Sequence, residues 1–169
     1  DGEYSGETYL LGRIVSFDYL WTKVRAEGGA YGCSMAINPN GSWTMSSYRD
    51  PNVKKTMETF RDTSNWLKTL ETEEQELLNY KIGAVARYDR IPKTYAQVKR
   101  MDSWYLREEM PQTRAGIRKG LLKASKEELK NRYQALERFA KEGTACVLGN
   151  RERIEEAADE FDKIIVLME

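Results

Sequence analysis

The chain has 169 residues, with 27 Lys+Arg set against 27 Asp+Glu, and it contains no histidine. That length suits one domain with its own core, and the zero formal net charge gives no electrostatic reason to bind nucleic acid or an anionic membrane. The missing histidine removes the commonest general base and the commonest metal ligand. No apolar run approaches the ~20 residues that span a bilayer, and no signal sequence of basic, apolar and small segments is present. Because the first residue is Asp1 rather than Met, the expectation is a fragment or a processed product.

Tyr9 to Val24 predicts an amphipathic helix. Leu10, Leu11, Ile14, Val15, Phe17, Tyr19, Leu20, Trp21 and Val24 give it a broad apolar face at helical spacing. Gly28 and Gly29 end it. Tyr31 to Ile37 and Ser42 to Tyr48 predict two strands, joined by a turn at Asn38-Pro39-Asn40-Gly41. Asp50 and Pro51 predict the start of a helix running to about Leu70, with Val53, Met57, Phe60, Trp66, Leu67 and Leu70 as its buried set.

Three Ser/Thr-x-x-Glu/Gln boxes predict further helix starts, at Thr72–Gln75, Thr94–Gln97 and Ser125–Glu128. Their helices are expected to run to about Tyr88, Glu109 and Lys141, with breaks at Ile91-Pro92 and Pro111 and a short helix to about Lys123. Thr144 to Leu148 and Lys163 to Met168 read as short strands around a helix capped by Asn150 and running to about Asp159, a β-α-β ending. The fold class expected is α/β: a small, mostly antiparallel sheet covered by several helices, in a single domain over residues 1–169. Four strands are few for so many helices, so strands preceding Asp1 are expected to complete the sheet.

Cys33 and Cys146 are read as two buried, reduced thiols, and no histidine is available to activate either. The carboxylates Glu155, Glu156, Asp159, Glu160 and Asp162 lie beside Arg151 and Arg153 and read as a solvated helix face. Trp66, Trp104, Tyr95, Tyr105 and Tyr133 read as helix-packing residues, since no basic stripe interleaves them. Ser-His-Asp and Cys-His catalysis and any His-ligated metal are excluded, and no phosphate-binding glycine loop occurs.

The stretch Leu20-Trp21-Thr22-Lys23-Val24-Arg25-Ala26-Glu27-Gly28-Gly29-Ala30-Tyr31-Gly32-Cys33 resembles the last domain of the presequence-protease branch of the pitrilysin/insulinase zinc metallopeptidases. Tyr48-Arg49-Asp50-Pro51-Asn52 is a second match, and Val147-Leu148-Gly149-Asn150 a looser third. The resemblance implies a C-terminal piece of an enzyme built from four related α/β domains, whose two halves close around an unfolded peptide. It implies zinc in the parent enzyme and none held by this chain, which lacks the family's zinc motif. It also implies that the chain starts inside its domain, after a strand that family members place ahead of Tyr4-Ser5-Gly6.

By the same resemblance, Arg25 and Tyr31 are the catalytic residues that reach the active site of another domain, and Gly28, Gly29 and Ala30 are substrate-binding. Arginine offers a planar fork of donors to a substrate carbonyl. A tyrosine hydroxyl can donate to an oxygen that gains negative charge. The partners implied are unfolded peptides and the N-terminal catalytic domains of the same full-length chain, with no nucleic acid and no membrane. The compartment implied is bacterial cytoplasm or an organelle matrix. The fragment alone is expected to lack peptidase activity. Two alternatives stay open: a non-catalytic peptide-binding or assembly module of the same fold, and an unrelated α/β interaction domain.

Overall fold

The structure is a computed structural model, and it describes residues 4–167. It is an α/β domain in which helices pack around one antiparallel hairpin. Helix α1 (Gly6–Ile14) starts at Ser5, whose hydroxyl accepts from the Thr8 N–H while the Thr8 hydroxyl accepts from the Ser5 N–H. From Val15 to Ala26 the same helix continues with π-type winding, closed by Glu27 N–H donating to Thr22 O at 2.9 Å. Leu10, Leu11, Ile14, Val15, Tyr19, Leu20 and Val24 are buried there, as their spacing predicts.

Phe17 and Trp21 depart from that expectation and are exposed. Winding through i→i+5 bonds turns each residue through less than the ~100° of an α-helix, so a face read at α-helical period drifts off the core.

Strands β1 (Gly32–Ile37) and β2 (Trp43–Tyr48) pair antiparallel, with Gly32 opposite Tyr48 and Ile37 opposite Trp43. The predicted turn forms: Gly41 N–H donates to Asn38 O, and Gly41 takes φ +81°. Ser16 locks the long helix to β1. Its buried hydroxyl accepts from Met35 N–H at 2.8 Å and lies 2.6 Å from Gly12 O, to which it donates.

Helix α2 (Val53–Lys68) crosses the long helix, and Trp66 stacks on Tyr19 with ring centroids 4.9 Å apart. Of its predicted buried set, Leu67 and Leu70 are buried, while Val53, Met57, Phe60 and Trp66 are half-buried. Asp50 does not cap this helix directly; Asn52 is the N-cap, and Pro51 lies ahead of it. Helices α3 (Glu74–Tyr88), α4 (Thr94–Leu106) and α5 (Pro111–Lys123) follow. Neither Thr72 nor Thr94 caps by its side chain: Thr72 is buried, and α3 and α4 begin after Glu73 and Lys93. Helices α1 and α5 cross with their backbones in contact, so a Cβ on Gly6 would overlap the main chain of Ile117 and Leu121.

The third box does form, with Ser125 and Glu128 exchanging bonds, but the helix it opens is short. It divides into α6 (Lys126–Lys130) and α7 (Tyr133–Glu142) around Asn131 and Arg132. Asn150 caps α8 (Arg151–Glu155), which passes into a 3-10 turn at Ala158–Glu160.

The β-α-β ending is corrected. Residues 144–148 and 163–167 join no ladder, and Met168 lies outside the described residues. Apolar β-branched runs supply strand propensity, but a strand exists only where an edge supplies its hydrogen bonds. A cavity of about 1400 Å³ separates residues 143–149 from the outer edge of β2, so the two do not meet.

The thiols are also corrected: Cys146 is exposed and Cys33 half-buried, and both are free. Tyr95 and Tyr105 stand in solvent rather than between helices. Arg100 and Arg114 cover Trp104, and Lys68 covers Tyr133. Of the acidic C-terminal residues, Glu155 and Glu156 pair within their own segment as a solvated face would, while Asp159 and Glu160 lie past α8 and reach across to α2. Glu155 meets Arg151, Glu156 meets Arg153, Asp159 meets Lys54 and Glu160 meets Arg61.

Candidate functional site

Arg25 and Tyr31 lie on opposite sides of the reversal between the long helix and β1. The reversal is built from Gly28, Gly29 and Ala30. Gly28 packs so tightly on the helix end that a Cβ there would overlap Val24 O. Gly29 takes φ +79°, a conformation that favours glycine. Gly29 N–H donates to Arg25 O at 2.9 Å and Ala30 N–H to Val24 O at 3.1 Å, which satisfies two end carbonyls of the helix. Asn52 donates its side-chain amide to Gly28 O and so ties the reversal to the start of α2. Gly28 and Ala30 are buried, so the exposed polar groups of the stretch are those of Gly29 and of the flanking side chains.

Arg25 is half-buried. Its Nε donates to Tyr31 O at 3.0 Å, and its guanidinium lies 3.8 Å from the Trp21 ring centroid. Trp21 in turn stacks on Phe17 at 6.3 Å, and the Arg13 guanidinium covers Phe17 at 4.3 Å. Arg13, Phe17, Trp21 and Arg25 thus form a ladder at four-residue spacing along one exposed side of the helix. Each cation faces an aromatic ring, an arrangement worth about 0.5–1 kcal/mol where exposed.

Tyr31 is 67% exposed and meets Tyr48 edge to face, with centroids 5.9 Å apart. Its N–H donates to Tyr48 O at 3.0 Å and reaches Arg49 O at 3.4 Å, extending the hairpin by one contact. Arg49 takes φ +48° and places its guanidinium 5.9 Å from the Tyr31 ring and 5.5 Å from the Tyr48 ring. The Cys33 thiol nearby is pushed up by burial, with the Arg25 charge opposing the shift, so it is no activated nucleophile.

The structure places Arg25, half-buried, against the main chain of exposed Tyr31. It adds Trp21, Tyr48 and Arg49, which sequence reasoning assigned no role. The signal for Trp21 was its place four residues before Arg25. Tyr48 and Arg49 open the second motif, but nothing in the sequence shows that they border Tyr31.

The face can bind and orient a polar or anionic group through exposed hydroxyls and guanidinium donors. Among the described residues, no group of three or more Cys, Asp or Glu side chains could hold a metal ion, so these residues do not fit zinc. No described helix is long and apolar enough to cross a membrane.

Comparison with known proteins agrees with the motifs. The family described as the PreP C-terminal domain matches residues 1–149. A Clostridium perfringens protein named HypA is 35% identical over 162 residues, covering 96% of this chain and 17% of its own. Presequence protease 1 of Arabidopsis thaliana, named as chloroplastic/mitochondrial, is 29% identical over 164 residues, covering 94% of this chain and 15% of its own. Mitochondrial presequence protease of Drosophila melanogaster is 34% identical over 82 residues, covering 47% of this chain and 8% of its own. The chain thus spans about a sixth of the length of the first two relatives.

Proposed function

The chain belongs to the PreP C-terminal domain family, and from that premise we propose that it is the substrate-binding and chamber-closing domain of a larger peptidase that degrades unfolded peptides. Arg25 and Tyr31 bind a peptide carbonyl and orient it toward reacting groups supplied by other domains of the same full-length chain. The observation that carries this reading is the pairing of the two residues on one exposed face. Arg25 Nε is bound to the Tyr31 carbonyl and its guanidinium face lies over Trp21, which leaves its remaining N–H donors and the Tyr31 hydroxyl without a hydrogen-bond partner among the described residues.

Each residue has a separate part. The Tyr31 hydroxyl donates a proton in a hydrogen bond to a peptide oxygen as that oxygen gains negative charge. The Arg25 guanidinium supplies a fixed positive charge and a planar fork of donors. Gly28, Gly29 and Ala30 act as the frame that sets the spacing of the two side chains, with exposed Gly29 the one of the three open to substrate. Metal chemistry belongs in this reading to another domain, because no group of three or more acidic or thiol side chains among the described residues could hold a metal. The proposed compartment is bacterial cytoplasm or an organelle matrix; the names of the plant and fly relatives place those proteins in mitochondria or chloroplasts.

The test is made in the full-length protein. Arg25→Ala and Tyr31→Phe should each lower kcat/KM on an unfolded peptide about a hundredfold, the scale for loss of one donor to a developing oxyanion. Metal content should stay at the wild-type level. Wild-type turnover in both variants would overturn the assignment.

A further inference from the structure

We infer that Arg49 is a carboxylate-binding residue beside Arg25 and Tyr31, and that it takes a carboxylate of the bound peptide. The inference rests on the reading that this face meets peptide, and it adds a chemical preference to it.

Arg49 is held to this face from both sides. Its carbonyl lies 3.4 Å from Tyr31 N–H, at the end of the hairpin. The carboxylate of the next residue, Asp50, is engaged at the start of α2, where it accepts from Asn52 N–H at 2.9 Å and Thr56 Oγ1 at 2.6 Å. Asn52 then holds Gly28 O, so the start of α2 and the Arg25–Tyr31 reversal are one connected unit. Between these anchors Arg49 adopts φ +48°. Glycine is the default residue for that backbone, so the turn itself does not explain an arginine.

The surrounding charge is unbalanced. The Arg49 guanidinium lies 5.9 Å from the Tyr31 ring centroid and 5.5 Å from the Tyr48 ring centroid, and Arg25 is bound to the Tyr31 main chain. Neither arginine takes part in an ion pair among the described residues. The acids next to them in sequence are engaged elsewhere: Asp50 with α2, and Glu27 with Lys23 at 3.1 Å. Two guanidinium groups beside one exposed tyrosine, neither of them in an ion pair among the described residues, favour an incoming anion. A planar fork suits a carboxylate in particular, because both oxygens can be held at once. Tyr48 and Arg49 also border the cavity of about 1400 Å³ beside β2, which leaves room for a chain attached to that carboxylate. The carboxylate can be the peptide's C-terminus or an acidic side chain.

The experiment compares three versions of one peptide with the full-length protein. The first has a free C-terminus and no acidic residue, the second is its C-terminal amide, and the third is the amide with one Glu added. The wild-type protein should prefer a carboxylate-bearing version over the neutral amide. Arg49→Gly should cut that kcat/KM preference about tenfold, while Arg49→Lys keeps part of it by keeping the charge. Arg49→Gly suits the left-handed backbone, so an unchanged or raised unfolding midpoint shows that the variant folds. Loss of preference for the free acid identifies the terminal carboxylate, and loss for the Glu peptide identifies a side chain.

The inference is overturned if the wild type shows no preference, if Arg49→Gly leaves the preference intact, or if it lowers all three peptides alike. Failure of the underlying reading looks different. There, Arg25→Ala and Tyr31→Phe turn over normally while Arg49→Gly still abolishes the preference.

Discussion

Arg25 is bound to the main chain of Tyr31, Nε to carbonyl oxygen, at 3.0 Å. The two proposed site residues are therefore connected directly, and what fixes one fixes the other. The guanidinium is held between that carbonyl and the face of Trp21, 3.8 Å away.

Trp21 should therefore act as a positioning residue for Arg25. In the full-length protein, Trp21→Ala should lower kcat/KM on an unfolded peptide about tenfold, in line with one cation–π contact and the order it imposes. Trp21→Phe keeps an aromatic face and should recover part of the loss. A purely structural role would lower the unfolding midpoint without this rescue pattern. Wild-type kcat/KM in Trp21→Ala would show that Arg25 needs no such support.

Two backbone positions should respond in opposite directions. Gly29 sits at φ +79°, so Gly29→Ala should destabilise the protein by about 1–2 kcal/mol. Arg49 sits at φ +48°, so Arg49→Gly should stabilise it or leave it unchanged. Urea unfolding midpoints of both variants check the pair. Movement in the same direction would show that the turn geometry differs from that described.

The elements readable from the sequence were those whose signal is local. Asn38 to Gly41 carry a hairpin turn, and Asn150 and Ser125 with Glu128 carry helix starts within three residues. What failed needed partners that a local pattern does not name. The runs at 144–148 and 163–167 have strand composition but meet no strand edge and join no ladder. Thr72 has the right neighbours for a cap, but burial and the start of α3 two residues later take it out of that position. Phe17 and Trp21 follow α-helical spacing on a helix that winds otherwise. At the site, Arg25 and Tyr31 were legible through a motif. Arg49 was not, because its proximity to Tyr31 comes from hairpin pairing between β1 and β2.

Alkaline pH should weaken the fold in a defined window. Burial is the main reason that the Tyr4 and Tyr80 hydroxyls are pushed up from 10.0 to about 12. A raised folded value means that the unfolded chain loses these protons first. Their contribution is thus complete below pH 10 and fades as pH rises through about 12. The urea midpoint should be flat from neutral pH up to that window and fall across it, less steeply in Tyr80→Phe. An unchanged slope in that variant would remove Tyr80 from the account.

The two thiols should differ in reactivity. Cys146 is exposed, while Cys33 is half-buried and its thiol is pushed up by burial. Under native conditions at neutral pH, an alkylating reagent should label Cys146 first and Cys33 much more slowly. Peptide mapping by mass spectrometry reads the order. Faster labelling of Cys33 would mean that the sheet beside Arg25 opens readily.

The most direct test of the central claim is a double-mutant cycle in the full-length protein, with Arg25→Ala, Tyr31→Phe and the pair measured as kcat/KM on one unfolded peptide. If the two side chains act on one substrate group as a unit, each single variant loses about a hundredfold, and the double variant loses little more than the worse single. Wild-type turnover in either single variant, or two losses that simply multiply, would contradict a shared site.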